Sequence, residues 1–202
     1  MPLAIIKYNA GNIQSVMFAL ERLGVNAVVT DNISQIQQAN KVIFPGVGEA
    51  SSAMQYLRER GLDQVIRELH QPVLGICLGM QLLCSHSEEN DTSCLDIVPV
   101  QVRKFISESG EGRTKAPLKV PQVGWNNIYS LRTKLFDSVL EDSFIYNVHS
   151  YYAESSKYSI ASCEYGVEYA AAVRKDNFYG VQFHAEKSAG VGAQILKNFI
   201  EL

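Results

Sequence analysis

The sequence has few cysteines, no excess of positive charge and no long apolar run. Its 202 residues contain four cysteines, none of them in a Cys-x-x-Cys pair. So few and so widely spaced thiols predict a reduced, cytoplasmic protein rather than a disulfide framework.

Lys and Arg number 18 against 21 Asp and Glu, and no basic cluster stands out. We therefore expect a small-molecule or protein partner, with no nucleic acid and no membrane surface.

The longest apolar stretch is too short to cross a bilayer. It covers residues 72–84 and is interrupted by two glycines and a glutamine, whereas a spanning helix needs roughly 20 apolar residues. The N-terminus lacks the basic and long apolar regions of a signal peptide, so we expect no leader.

With 47% hydrophobic and 19% charged residues, the composition is typical of a globular chain, and the length predicts one domain over residues 1–202.

In the first half of the chain, short apolar strands alternate with helical patterns. The predicted strands cover residues 3–8, 26–30, 41–44 and 73–76. Apolar residues at helical spacing follow Asn12, which is predicted to cap the first helix. This alternation predicts a parallel sheet with right-handed crossovers, and sheets of this kind bind ligands at the carboxyl ends of their strands.

After about Ser85, strand-like runs separated by turns replace the helical pattern. These runs cover residues 98–105, 143–148, 159–164, 170–174 and 178–183. We expect a turn at residues 175–177, a surface loop over residues 107–116 and a last amphipathic helix from about Val191. The predicted fold class is α/β, with a central, mainly parallel sheet flanked by helices and an antiparallel C-terminal half.

One cysteine occupies a position typical of a catalytic nucleophile. In the segment Gly-Ile-Cys-Leu-Gly, Cys77 follows an apolar strand and opens a helix, which matches the glycine-bounded nucleophile elbow. The glycines Gly75 and Gly79 allow a sharp turn in which a Cβ would clash, and the helix dipole favours the thiolate. An arbitrary cysteine is more often a small packing residue, and we interpret the other three in that way: Cys84, Cys94 and Cys163.

A histidine and a carboxylate stand two residues apart near the C-terminus. His184 and Glu186 follow a predicted strand, in which a period of two would point both side chains to one side. The carboxylate can then orient the imidazole and stabilise its charged form. His149 is the competing base, but no acid stands two residues after it, so we interpret it as a structural or pocket residue.

A glycine loop, Pro45-Gly46-Val47-Gly48, follows the third predicted strand. Its backbone amides, together with the N–H of Leu78, could form an oxyanion hole for a tetrahedral intermediate. The alternative interpretation is a tight strand-to-helix connection, and the loop alone does not decide between the two.

Together, these three motifs resemble the class I (triad) glutamine amidotransferases. Within that class, further segments are similar to the glutaminase subunits of imidazole glycerol phosphate synthases: Tyr8-Asn9-Ala10-Gly11-Asn12, Val123-Gly124-Trp125-Asn126 and His149-Ser150-Tyr151. The resemblance runs from Leu3 to the final helix. Such proteins usually have an acidic residue and a glycine where Lys7 and Asn9 stand, in a loop that faces the partner, and a proline where Ala185 stands.

The resemblance implies hydrolysis of L-glutamine to glutamate and ammonia by a triad of Cys77, His184 and Glu186. The oxyanion donors would be the amide of Val47 or Gly48 and the amide of Leu78. The glutamine-binding positions would be Gly46, Gln81, Ser150 and Tyr151. No cofactor or metal is implied, because the thiolate supplies the nucleophile.

The resemblance also implies a protein partner. Ammonia would pass to a cyclase subunit with a (β/α)₈ barrel, which makes imidazole glycerol phosphate and aminoimidazole carboxamide ribotide in histidine biosynthesis. Asn12 and Trp125 are the expected interface or ammonia-passage residues.

Three alternatives differ in function class. A paralogous amidotransferase that supplies another synthase could have the same site, and its partner would distinguish it. Gln81 and the Trp125-Asn126 motif argue against a free-standing Cys-His-Glu γ-glutamyl hydrolase. A non-catalytic scaffold should have lost at least one triad residue, and all three are present.

Overall fold

The computed structural model describes residues 3–9, 12–106 and 118–202. The predicted surface loop at residues 107–116 lies outside the described residues, as do Ala10 and Gly11 of the N-terminal motif. Within the described ranges, no helix is both long and apolar enough to cross a membrane.

A large mixed sheet forms the centre of the molecule. The strands are, in chain order, β1 (Leu3–Ile6), β2 (Ala27–Thr30), β3 (Lys41–Phe44), β4 (Val73–Ile76), β5 (Cys84–Ser87), β6 (Thr92–Ser93), β7 (Val98–Lys104), β8 (Gln122–Ile128), β9 (Ser143–His149), β10 (Tyr151–Ala153), β11 (Ser159–Tyr165), β12 (Val167–Lys175) and β13 (Phe178–Val181). The main sheet has the order β2-β1-β3-β4-β13-β12-β10-β7-β5-β6, and β11 pairs with β12. Strands β8 and β9 form a separate antiparallel pair.

Helices lie on both faces of the main sheet. They are α1 (Ile13–Arg22), α2 (Ile33–Gln38), α3 (Ala50–Glu59), α4 (Leu62–Arg67), α5 (Leu78–Leu83) and α6 (Ala189–Glu201). The residues of β1 alternate between two cores, with Ala4 and Ile6 in one and Leu3 and Ile5 in the other. A strand buried on both faces is apolar throughout, and this explains the continuous apolar runs of the first half.

The predicted fold class is confirmed, and β3 and β4 have the predicted bounds. The two halves of the chain join at β13, which pairs parallel with β4 and antiparallel with β12. Strand β8 was not predicted, because its sequence Gln-Val-Gly-Trp-Asn-Asn-Ile contains residues that are depleted in strands. Its pairing with β9 compensates for this weak local preference.

The register of three adjacent strands brings their carboxyl ends to one edge of the sheet. Phe44 of β3 lies opposite Gly75 of β4, and Val181 of β13 lies opposite Ile76. The residues that follow these strands therefore meet at the edge where parallel sheets bind ligands.

Candidate active site

Cys77 lies in a sharp turn between β4 and α5, with φ 52° and ψ −109°. A Cβ on Gly75 would lie 2.7 Å from the Met80 nitrogen, and a Cβ on Gly79 would overlap the Phe44 carbonyl oxygen. Any side chain at these positions would push α5 away from the sheet. The two glycines therefore permit the strained backbone that holds Cys77 at the edge, as the sequence predicted.

His184 and Glu186 are in contact, although the backbone between them is not a strand. His184 Nδ1 lies 2.8 Å from Glu186 Oε1, and residues Ala185–Lys187 form a 3₁₀ turn. The predicted period of two is therefore wrong as the reason for the contact, because β13 ends at Val181. The turn brings the two side chains together instead.

Asn12 stands at the N-cap position of α1, as predicted, but its side chain does not form the expected capping hydrogen bond. Its backbone is left-handed, with φ 72°. Instead, Asn12 Nδ2 donates to Glu186 Oε1 at 2.8 Å. Asn12 therefore supports the carboxylate that holds His184.

The contacts of His184 favour its charged form. Burial opposes the imidazolium, but hydrogen bonds with Cys77 and Glu186 raise the pKa of His184 to about 10. Since Nδ1 is engaged by Glu186, Nε2 is the ring nitrogen left to face Cys77. A thiolate beside an imidazolium is the arrangement that an activated cysteine nucleophile needs.

A cavity of about 310 Å³ opens over Cys77 and His184. Most of the predicted site residues line it, namely Val47, Gly48, Leu78, Gln81, Ser150 and Tyr151. Gly46 does not line this cavity. The lining also includes residues that the sequence did not single out: Glu89, Pro121, Val148 and Lys187. Val148 and Lys187 adjoin predicted site residues in the chain, whereas Glu89 and Pro121 lie outside every motif, so the sequence held no signal for those two.

One predicted oxyanion donor, the Leu78 amide, is already bonded, and a second, the Val47 amide, points away from Leu78. The Leu78 N–H donates to the Gly46 carbonyl at 3.3 Å. The Val47 N–H belongs to the same peptide as that carbonyl, and the C=O and N–H of a trans peptide point in opposite directions. The Val47 N–H therefore points away from Leu78. Rotation of this one peptide would free the Leu78 amide and reverse the direction of the Val47 N–H.

His149 also lines the cavity, in a setting that keeps it neutral. Its Nδ1 lies 2.8 Å from the Tyr151 carbonyl oxygen, which fixes Nδ1 as the protonated nitrogen. Burial lowers the pKa of His149 to about 4, and the rings of Phe105 and Tyr169 pack beside it at centroid distances of 5.5 Å. These contacts agree with the predicted structural or pocket role.

The three remaining cysteines are buried. Burial raises the pKa of the thiols of Cys84, Cys94 and Cys163, so all three favour the neutral form. This agrees with their predicted packing roles.

Strands β8 and β9 carry an exposed apolar surface that begins at the cavity. We define the apolar β8–β9 face as Val123, Trp125, Phe144 and Val148, whose exposed fractions are 56%, 54%, 61% and 38%. Val148 also lines the cavity, and Val123 lies opposite it in the strand pair. Trp125 thus lies on this exposed face, whereas Asn12, the other predicted interface residue, lies against Glu186.

A family model described as glutamine amidotransferase class-I matches residues 4–202. The fold and the site therefore belong to a class-I glutamine amidotransferase, and the chain is an enzyme of that class. The chain is 52% identical over the full length of both sequences to the imidazole glycerol phosphate synthase subunit HisH of Bacteroides fragilis. It is 44% identical to that of Pasteurella multocida, covering 98% of this chain and 97% of the relative. Within its class, the chain belongs to the HisH family.

Solved structures with low sequence identity share the fold. A structure described as a putative subunit of GMP synthase from Thermoplasma acidophilum has a TM-score of 0.73 at 18% identity, covering 100% of this chain and 93% of that chain. A structure described as a glutamine amidotransferase has a TM-score of 0.71 at 16% identity, covering 98% and 97%.

Proposed function

We propose that this chain is the glutaminase subunit of an imidazole glycerol phosphate synthase and acts in the cytoplasm. It hydrolyses L-glutamine to glutamate and ammonia, and it delivers the ammonia to a cyclase subunit in histidine biosynthesis. Residues 1–202 act as one amidotransferase domain. The observation that carries the proposal is that Cys77 and His184 line one cavity, with His184 held by Glu186 at 2.8 Å.

In the proposed reaction, Cys77 Sγ attacks the side-chain carbonyl carbon of glutamine and negative charge moves to the carbonyl oxygen. His184 Nε2 donates its proton to the departing nitrogen, the C–N bond breaks and ammonia leaves a thioester on Cys77. His184 then takes a proton from water, and the resulting hydroxide displaces Sγ to form glutamate. Glu186 keeps the imidazole oriented and stabilises its charge in both steps.

The oxyanion needs N–H donors from the glycine loop. The Leu78 amide is bonded to the Gly46 carbonyl, so rotation of the Gly46–Val47 peptide would supply two donors at once. We infer that binding of the cyclase and its substrate favours the rotated peptide. Glutamine would then be hydrolysed efficiently when an acceptor for ammonia is present.

The cavity offers groups that fit a free amino acid. The Glu89 carboxylate lines it and would pair with the α-ammonium of glutamine. Burial raises the pKa of Glu89, although the Ala50 N–H donates to its carboxylate and opposes this shift. A bound ammonium would compensate for the burial of a carboxylate at this position.

The apolar β8–β9 face fits a partner that takes ammonia directly from the cavity. Trp125 is a large side chain, half exposed, of the type that dominates protein interfaces. The HisH relatives are named as synthase subunits, which supports a cyclase as the partner. We assign it a (β/α)₈ barrel because of the family resemblance.

The experiment that tests this function separates the two half-reactions. In the complex with the cyclase, Cys77→Ala should abolish glutamine-dependent synthesis of imidazole glycerol phosphate and leave synthesis from added ammonium salts nearly intact. The reason is that the variant removes the nucleophile and leaves the cyclase untouched. Cys163→Ala, at a second buried cysteine, is the matched control and should retain both activities.

Equal loss of both activities in Cys77→Ala would contradict the proposal. Co-purification with a different synthase would instead identify a paralogous amidotransferase.

A further inference from the structure

A buried glutamine that the proposed mechanism does not use lies directly beside the nucleophile. Gln182 is fully buried and follows β13, and its backbone N–H donates to the Ala171 carbonyl at 2.8 Å. The Cys77 N–H in turn donates to the Val181 carbonyl at 2.8 Å. The register of β4 and β13 therefore fixes the backbone of Gln182 next to that of Cys77.

The side-chain amide of Gln182 makes two contacts with site residues. Its Nε2 donates to Cys77 Sγ at 3.8 Å, and its Oε1 accepts from Gln81 Nε2 at 3.0 Å. If the amide were reversed, two N–H donors would face each other and an oxygen would face the sulfur. The network thus determines which way the Gln182 amide points.

The same network orients Gln81. Its Nε2 donates to the Tyr151 carbonyl at 2.9 Å as well as to Gln182, so both amide hydrogens are used. Gln81 Oε1 accepts no hydrogen bond from the described residues, and the side chain lines the cavity. The carbonyl end of this amide is therefore the end available to accept hydrogen bonds from a bound substrate.

Two weak contacts of the Cys77 sulfur favour opposite protonation states. The Val148 carbonyl lies 3.9 Å from Sγ and accepts from the thiol. The Gln182 N–H donates to sulfur, and a hydrogen bond to the charged form of a group stabilises that form. Gln182 therefore favours the thiolate without adding a charge that would compete with His184.

We propose that Gln182 is a positioning residue that orients Gln81 for substrate binding and stabilises the Cys77 thiolate. The proposal rests on the proposed glutaminase function, since it assigns Gln81 to glutamine binding. It also makes a prediction about the reactivity of Cys77 that holds without any turnover.

Two variants separate the two tasks. Gln182→Glu keeps an oxygen for Gln81 Nε2 but replaces the donor to sulfur, whereas Gln182→Met has a similar size and removes both hydrogen bonds. In the complex with the cyclase, Gln182→Glu should lower kcat about 10-fold or more with little change in KM. Gln182→Met should lower kcat and also raise KM about 10-fold or more, because a hydrogen bond to a charged or buried group is worth about one order of magnitude.

A second readout needs no glutaminase activity. Alkylation of Cys77 by iodoacetamide in the full chain, followed by mass spectrometry, should be slower in both variants. For Gln182→Glu, the ratio of its alkylation rate to that of wild type should decrease between about pH 6 and about pH 9. The reason is that ionisation of the introduced carboxyl group places a negative charge beside the thiolate. Gln101→Met and Gln101→Glu on β7 are matched controls and should leave every readout unchanged.

The proposal is overturned if both variants change kcat and KM together to the same extent, or if alkylation of Cys77 is unaffected. Thermal unfolding shows whether each variant folds. If Gln182→Met does not fold, the kinetic and alkylation results of Gln182→Glu test the proposal alone. If the wild-type protein in complex with the cyclase has no glutaminase activity, the proposed function is wrong. The alkylation rates would still test whether Gln182 stabilises the Cys77 thiolate.

Discussion

Two buried histidines line one cavity, yet their surroundings give them opposite charge states. Hydrogen bonds with Cys77 and Glu186 overcome burial and raise the pKa of His184, whereas burial of His149 beside aromatic rings lowers its pKa to about 4. The Tyr151 carbonyl holds the Nδ1 proton of His149, and no carboxylate among the described residues is hydrogen-bonded to its ring. Both residues are histidines, so the residue type does not distinguish them. Their hydrogen-bond partners and their burial determine which of the two can exchange protons with the substrate.

At the scale of single residues, we predict that the two histidines differ in their effect on turnover. His184→Ala should slow glutaminase turnover of the complex by about 10² to 10⁴, the usual contribution of a positioned acid–base group. His149→Ala should cost less, because it removes a wall of the cavity rather than a proton carrier. Steady-state glutamate production measures both, and the reverse ranking would mean that His149 is the base.

At the scale of elements, helix α6 supports the turn that carries Glu186. A Cβ on Gly192 would overlap the Ala185 carbonyl oxygen, whereas a Cβ on Gly190, two residues earlier in the same helix, would meet no atom within 4 Å. The close approach of α6 therefore depends on one glycine. Packing of α6 against the Ala185 carbonyl therefore helps to fix the turn that carries Glu186.

This contrast gives a prediction with a control inside the same helix. Gly192→Ala should lower the free energy of unfolding by about 1–3 kcal/mol, the usual cost of overpacking, and should lower glutaminase turnover because the Glu186 turn is displaced. Gly190→Ala should be neutral or stabilise by up to about 1 kcal/mol, since alanine replaces glycine in open space. Urea unfolding of both variants measures the difference, and equal effects would contradict the assigned role of Gly192.

At the scale of the whole molecule, the cavity and the apolar β8–β9 face are continuous. Residues at one end of the strand pair, Pro121 and Val148, line the cavity, and Trp125 lies further along the same pair with its ring packed on Tyr146. A partner that covered this face would also close one side of the cavity. Docking and chemistry are therefore expected to be coupled.

The first whole-molecule prediction concerns binding. Trp125→Ala should raise the Kd for the cyclase by about 30-fold or more, the effect of losing an interface hot spot. The free chain should lose no more than about 1 kcal/mol of stability, because the ring is half exposed and loses one aromatic contact. Calorimetric titration gives Kd, and Ile33→Ala, an exposed apolar residue on α2, is the control that should bind normally. An unchanged Kd for Trp125→Ala would remove this face from the interface.

The second whole-molecule prediction concerns activation. The isolated chain should be a poor glutaminase, because the Leu78 amide is bonded to the Gly46 carbonyl and the Val47 amide points away. Addition of cyclase and its nucleotide substrate should raise turnover by at least about 10² to 10³, the value of one oxyanion donor. Steady-state assays measure glutaminase turnover in three samples: the chain alone, the chain with cyclase, and the chain with cyclase plus nucleotide. Full activity of the chain alone would favour a free-standing hydrolase.

The sequence by itself determined the local parts of this protein. The strands at residues 41–44 and 73–76 and the glycine-bounded elbow around Cys77 depend on neighbours in the chain, where steric limits and periodicity act directly. The contact of His184 with Glu186 was also predicted, but a 3₁₀ turn rather than a strand period forms it. The tertiary structure alone decided that Asn12 supports Glu186, that Gln182 meets Gln81 and Cys77, and that the Gly46 carbonyl occupies the Leu78 amide. These contacts join residues that are distant in the chain, and they form only when the strands and turns that carry those residues pack against one another. A local pattern of residue types does not encode which distant residue a side chain will meet.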